Sequence, residues 1–171
     1  SSPVEIFTSK DLDNLNISSI AEISKYLSSS SGSHFQTNTM DGVDQGMSSI
    51  TLRGLDHAST LLLINSRRQT FSGTPSHEGE GYIDANIIPK NAVKKVEILK
   101  EGGTSLYGSD AVSGVINFLT HKEFEGMELD FSSQKTDNYN QGDHIIGILL
   151  GKKFESSNLV IALNFLKRTN L

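Results

Sequence analysis

The stretch Val96-Glu97-Ile98-Leu99-Lys100-Glu101-Gly102-Gly103-Thr104-Ser105-Leu106-Tyr107-Gly108-Ser109-Asp110-Ala111-Val112-Ser113-Gly114-Val115-Ile116-Asn117 decides how the rest of the chain is read. Around its start, Lys94 to Leu99 sets Val96, Ile98 and Leu99 among charged residues, the pattern of a strand with one apolar face. Gly102-Gly103, Gly108 and Gly114 then cut the chain into turns and short pieces around Ser105-Leu106-Tyr107 and Asp110-Ala111-Val112. Val115 to Thr120 restores a strand, and His121-Lys122-Glu123 marks a polar boundary. Two strands joined by a glycine-punctuated connection are therefore predicted.

Upstream, Thr60-Leu61-Leu62-Leu63-Ile64 is continuously apolar, as expected of a strand covered on both faces. Asn65-Ser66 follows where a tight turn would return the chain through Arg67 to Thr70. Ser49 to Arg53 alternates polar and apolar residues before Gly54 and reads as a further strand. Phe71 to Gly81 reads as a long loop, and the segment Ile83 to Ile88 ends at Pro89. Nearer the start, Pro3 to Thr8 is β-prone, and Ser9-Lys10-Asp11-Leu12 can open a turn or a helical turn. Ser19-Ile20-Ala21-Glu22 has the spacing of a capping box, with Ile20, Ile23 and Leu27 forming one stripe of a helix. The serine run Ser28 to Ser31 leads into a polar region ending near Met47, read as loop with one weak strand.

Downstream of Gly126 the pattern changes to three alternating segments separated by polar turns at Thr136 to Gly142 and Glu155 to Asn158. Met127, Leu129 and Phe131 share one side, as do Ile146, Ile148 and Leu150, and then Leu159, Ile161, Leu163 and Phe165. Such segments fit the start of an antiparallel meander, and their length suits the roughly 9–11 residues with which a strand crosses an outer membrane.

Composition narrows the function classes. With 171 residues the chain is long enough for a sizeable core, and its net charge of −5 argues against gripping nucleic acid through a basic face. The absence of cysteine excludes disulfides, thiolate nucleophiles and cysteine-ligated metal centres. No apolar run approaches the roughly 20 residues of a spanning helix, the longest being Ile145 to Leu150. The start has neither the basic nor the apolar part of a signal peptide, so any export signal is expected to lie outside this sequence or to be removed. No Gly-x-x-x-x-Gly-Lys-Ser/Thr, Gly-x-Ser-x-Gly or His-Glu-x-x-His occurs, and the five histidines sit in unlike contexts. No enzyme, cofactor or metal site is expected. His77 beside Glu78 and Glu80 lacks a second histidine at ligand spacing and reads as loop charge.

Taken in order, Pro3-Val4-Glu5-Ile6, the capped helix, Ile50-Thr51-Leu52-Arg53-Gly54-Leu55, Thr60 to Arg68, Ile83 to Pro89 and the opening stretch resemble the plug domain of TonB-dependent outer-membrane receptors, with the first barrel strands attached. The resemblance implies an α+β fold: a small mixed-sheet plug over residues 1–123, then, over 124–171, antiparallel strands that begin a transmembrane β-barrel. It implies a gate for uptake of scarce nutrients such as ferric siderophores, cobalamin, haem or glycans across a Gram-negative outer membrane. The partners it implies are the chain's own barrel and a TonB-type energy-coupling protein. A barrel of about 22 strands needs several hundred residues, so this chain is expected to be a piece of a receptor. The family usually has Asp-Gly where Asn65-Ser66 stands, which predicts a looser hairpin turn here. The alternative is a soluble module of the same fold that recognises a glycan or protein. It would pack Leu129, Phe131, Ile148 and Leu163 onto the plug.

The resemblance also assigns roles. Arg53 and Lys100, each at a strand end, are expected to pair with carboxylates on the inner barrel wall, against the plain alternative of two exposed cations. Glu97 is expected to bond across to one of them or to sit on a solvated face. Gly54, Gly102, Gly108 and Gly114 are expected to allow backbone shapes or close approaches that a Cβ would block. In the outward loops, Asp44, Gln45, His57, Phe71, His77 and Tyr82 are the candidate substrate contacts.

Overall fold

The apolar segments of the sequence are gathered into two separate sheets in the computed structural model, which describes residues 4–17, 19–27, 29–30, 33, 47–55, 57–76, 79–101, 103–135 and 142–168. The first sheet holds β1 (Val4–Thr8), β2 (Thr60–Ile64), β3 (Arg67–Arg68), β4 (Val93–Leu99) and β5 (Gly114–Thr120), in the spatial order β1-β4-β5-β2-β3. Only the β2–β5 pair is parallel, so the sheet is mixed. The second sheet is the antiparallel meander β6 (Gly126–Lys135), β7 (Gly142–Lys153) and β8 (Asn158–Arg168). Among the described residues there are two short α-helices: α1 (Ser9–Asn14) follows β1, and α2 (Gly103–Tyr107) lies between β4 and β5.

β2 is buried on both faces, as its unbroken apolar run predicts. Leu62 enters the main core with Leu12, Ile20, Ile23, Val96, Ile116 and Phe118, while Leu61 and Leu63 face a smaller cluster with Ala111 and Val115. Each large side chain so buried favours the fold by roughly 1.5–3 kcal/mol through removal of apolar surface from water. The stripe Ile20, Ile23 and Leu27 is buried as expected, but Ile20–Tyr26 forms a 3₁₀ helix, and Ser19 makes no side-chain cap bond. Glu22 instead forms an ion pair with Lys25 at 2.8 Å. The capping box lies one element earlier: Thr8 Oγ1 accepts from Asp11 N, and Asp11 Oδ2 accepts from Thr8 N at 2.8 Å. The Thr8 hydroxyl also donates to Asp11 Oδ2 at 2.6 Å, and this bond, with the one from Thr8 N, holds the Asp11 carboxyl below its ordinary pKa.

The structure corrects two further expectations and defines the Ile83 to Ile88 segment. Ser49 to Arg53 is buried through Leu52 but forms no continuous strand, only isolated bridges at Ser49 and at Leu52, the latter to Ser30. Hydroxyls serve its backbone in place of a neighbouring strand: Thr51 N donates to Ser33 Oγ at 2.9 Å and Leu52 N to Thr60 Oγ1 at 3.0 Å. The Ile83 to Ile88 run is a 3₁₀ turn at Ala85–Ile87, capped by Asp84, whose Oδ1 accepts from Asn86 N at 2.9 Å. The Asn65-Ser66 turn is tight, with φ of 50° and 65° and direct pairing of Ile64 with Arg67. Its unfavourable serine is held from outside, since Ser66 N donates to Asn117 Oδ1 at 2.9 Å and Asn65 Nδ2 to Thr120 Oγ1 at 2.9 Å. The region from Ser28 to Met47, including its weak strand, lies mainly outside the described residues.

The meander has two unlike faces. Rows in register across β6, β7 and β8 read Met127–Leu150–Ile161, Leu129–Ile148–Leu163 and Phe131–Ile146–Phe165 on the outer face. The opposite face carries rows such as Asp130–Gly147–Asn164, and Leu149 there is fully buried. The two sheets are joined by residues 121–125, and the Phe124 carbonyl lies so close against Gly151 that a side chain at 151 would collide with it.

Candidate functional site

Two regions of the first sheet concentrate the residues singled out in the sequence: its charged strand ends and the loop cleft beside β2. Arg53 stands in a left-handed turn with Gly54, at φ of 62° and 66°, and its guanidinium lies 3.7 Å from Glu101. Lys100 Nζ lies 2.6 Å from Glu5 Oε2. Both expected anchors are thus paired within the plug sheet and its flanks. Glu97 does not reach either of them. It pairs with Lys95 at 2.6 Å, because residues two apart on β4 point to the same face, and Asn117 Nδ2 donates to it at 3.4 Å.

Of the four glycines, Gly114 has the strictest requirement. Its φ is 140°, and a Cβ there would sit 2.7 Å from the Leu99 carbonyl oxygen and 2.8 Å from Leu52 Cδ1. Gly108 also has positive φ but open space around it, and Gly102 lies outside the described residues.

The cleft has a volume of about 300 Å³ and is walled by Ala58, Thr60, Arg68, Phe71, Ile83 and Asp110, among others. Arg68 spans it, pairing with Asp110 Oδ2 at 2.5 Å and donating to the Tyr107 carbonyl. This links the edge strand β3 to the glycine-rich segment. Sequence reasoning did not single out Arg68 or Asp110, although two arginines directly after a tight turn were a usable signal. Phe71 is half exposed and its ring covers Gly81. Tyr82, by contrast, is buried. His57 Nδ1 lies 3.0 Å from Ser49 Oγ and 3.2 Å from Thr51 Oγ1, so its ring faces the buried serine–threonine segment. Asp44, Gln45 and His77 lie outside the described residues. Among the described residues no three His, Asp or Glu side chains gather as a metal site, and no helix is long and apolar enough to cross a membrane.

Two ionisable groups near these regions are shifted. Burial pushes the Asp84 carboxyl up against the opposing bond from Asn86. Burial, aided by the charge of Lys94, pushes His121 down, and its ring meets Phe124 edge-on with centroids 5.8 Å apart.

The family described as TonB-dependent Receptor Plug Domain matches residues 1–115. The probable TonB-dependent siderophore receptor PirA of Acinetobacter baumannii is 28% identical over 155 residues, covering 84% of this chain and 20% of that protein. The iron-regulated outer membrane virulence protein of Vibrio cholerae is 37% identical over 75 residues, covering 43% of this chain and 12% of that protein. Among solved structures, the ferric enterobactin receptor PfeA of Pseudomonas aeruginosa, as a Q482A mutant, superposes with a TM-score of 0.76 at 18% identity, over 98% of this chain and 25% of the receptor. The crystal structure of Acinetobacter baumannii PirA gives 0.72 at 23% identity, over 98% of this chain and 25% of that one. The chain thus spans a quarter or less of these receptors. It belongs to the TonB-dependent receptor plug domain family, and its mixed sheet with the antiparallel strands that follow has the fold seen in these receptor structures.

Proposed function

We propose that the complete protein is a gated importer of a ferric siderophore or a similarly scarce nutrient, driven by a TonB-type partner, and that this chain is its gate. The observation that carries the reading is the two-faced meander. Leu129 and Phe131 are 62% and 73% exposed on its outer face, while Leu149 and Gly147 on the other face pack toward the plug. A soluble module would bury those outer rows on the plug, so the arrangement favours a wall facing lipid. The names of the relatives, which include receptors for siderophores and ferric enterobactin, support iron uptake.

Within this reading the plug occupies residues 1–123 and the wall starts at 124. Arg53 and Lys100, now paired with Glu101 and Glu5, exchange those partners for carboxylates of the remaining barrel wall. The 69–82 loop and the cleft under it face the ligand, with Phe71 the contact offered to solvent. The work is mechanical, with no chemical step assigned to any side chain. Substrate docking shifts the loops, and a pull from the periplasm displaces the weakly held glycine-rich parts, so local stability is uneven.

The test is uptake by a receptor-deficient Gram-negative host expressing the full-length protein, using iron-55 complexes of enterobactin and citrate alongside cobalamin and haem. Uptake of one of these that disappears when the TonB-type protein is deleted supports the proposal. Binding without uptake, or uptake indifferent to that deletion, overturns it.

A further inference from the structure

The plug touches the meander through the 3₁₀ turn Lys90–Ala92, which lies just before β4. This turn is itself firmly placed: Ala92 N donates to the Pro89 carbonyl and His121 N to the Ala92 carbonyl, both at 3.0 Å. On the wall, Asp130, Gly147 and Asn164 stand side by side across the three strands. A glycine between two longer side chains leaves a notch, and Asn91 fills it. A Cβ on Gly147 would lie 3.2 Å from Asn91 Nδ2 and 3.3 Å from Asp130 Cβ. From this seat Asn91 Nδ2 donates to the Leu163 carbonyl at 3.1 Å, a bond from the plug to the backbone of the wall. Beside it, the Lys90 side chain is mostly buried and its Nζ pairs with Asp13 of α1 at 3.2 Å, which ties the same turn back into the plug.

We infer that Asn91 in the Gly147 notch is the bolt that fastens the plug to its barrel wall, a role independent of Arg53 and Lys100. The inference rests on the gate reading above. Size and donor are both needed. The amide sits this deep because residue 147 has no side chain, since a Cβ there would push it by a few tenths of an ångström, and the bond to a backbone carbonyl requires an N–H that aspartate lacks. A carbonyl acceptor on the wall is also insensitive to side-chain variation there, unlike a salt bridge.

The test uses the full-length receptor in planar lipid bilayers, with urea to loosen the plug and ion conductance as the readout. Asn91→Ala, Asn91→Asp and Gly147→Ala are each expected to lower the urea concentration at which conductance appears by roughly 0.5 M. The Asn91→Ala, Gly147→Ala double variant should shift it no further than the single ones, since both remove one contact. Wild-type midpoints for the single variants, or shifts that simply add, overturn the inference. Heat-dependent gel mobility reports whether the Gly147→Ala barrel has folded, and if it has not, the two Asn91 variants decide alone. A wild-type receptor that conducts freely without urea overturns the gate reading, and the bolt with it.

Discussion

Lys100 Nζ stands 2.6 Å from Glu5 Oε2, closing the end of the β1–β4 pair where Val4 lies opposite Leu99. β1 is the edge strand of the sheet, so this ion pair guards the pairing nearest the N-terminus. Both side chains are about one-third exposed, and solvent screening limits the pair to about 0.5 kcal/mol. Lys100→Ala is expected to speed amide hydrogen exchange in β1 roughly twofold. Unchanged exchange there would show that the pair adds nothing to the edge.

Gly114 and Gly108 separate collision from strain. Gly114→Ala should destabilise the plug by about 3 kcal/mol or more, because the new Cβ meets the Leu99 carbonyl, a backbone atom that cannot step aside. Gly108→Ala meets no neighbouring atom, but with φ of 84° and ψ of −164° the backbone lies in a region essentially restricted to glycine, so it should cost about 1–3 kcal/mol from strain alone. Urea unfolding of the two variants, compared at one temperature, gives the ratio.

The tight turn offers a gain. Ser66 has a φ of 65°, a conformation glycine adopts without penalty. Ser66→Gly gives up the 3.3 Å bond from Asn117 Nδ2 to the serine hydroxyl but keeps the backbone bond to Asn117 Oδ1. A net stabilisation of about 0.5 kcal/mol is expected, read as a higher unfolding midpoint.

Asp84 should make stability depend on pH. Its carboxyl is raised by burial, so between the ordinary carboxylate value and the raised one the folded chain holds more protons than the unfolded chain. This residue's contribution to stability therefore falls as pH rises through that window, and the full burial penalty is present above the raised value. Asp84→Asn keeps an oxygen to accept from Asn86 N. The variant should be the more stable protein at pH 7, with the difference vanishing below the ordinary carboxylate range. Denaturation curves at pH 7 and pH 3 check both halves.

The outer rows of the meander test the wall. Leu129→Arg, in the middle row with Ile148 and Leu163, should weaken folding of the full receptor in bilayers by about 2–4 kcal/mol if that row lies near mid-membrane. A variant that folds as well as the wild type would place this face in water.

Much of the architecture was legible because it depends on local pattern. The continuous run Thr60–Ile64 declared a strand covered twice, and the alternation after Gly126 declared the meander with its outward rows. Where reading failed, a distant partner had intervened. Ser49 to Leu52 alternates like a strand, yet its backbone is served by Ser33 and Thr60 hydroxyls that no periodicity reveals. Asn65-Ser66 looked loose because serine disfavours positive φ, and the polar groups that hold it, Asn117 and Thr120, come more than 50 residues later. The capping box was sought at Ser19 and Glu22 because glutamate marks the usual signature, whereas aspartate at 11 does the work after Thr8. The notch at Gly147 was invisible for the same reason, since a glycine in a strand announces nothing until Asn91 is placed over it.

The short passage from β5 to β6 acts as a leash. Only residues 121–125 separate the two sheets, and Phe124 is already pressed against Gly151. Even drawn straight, that many residues span only about 20 Å. However hard the other end is pulled, the Thr120 end of β5 stays within that radius of the wall unless β6 itself tears away. On the gate reading, a passage for cargo is then cleared with the Thr120 end of the plug still moored beside β6, by moving or unfolding the plug about that end.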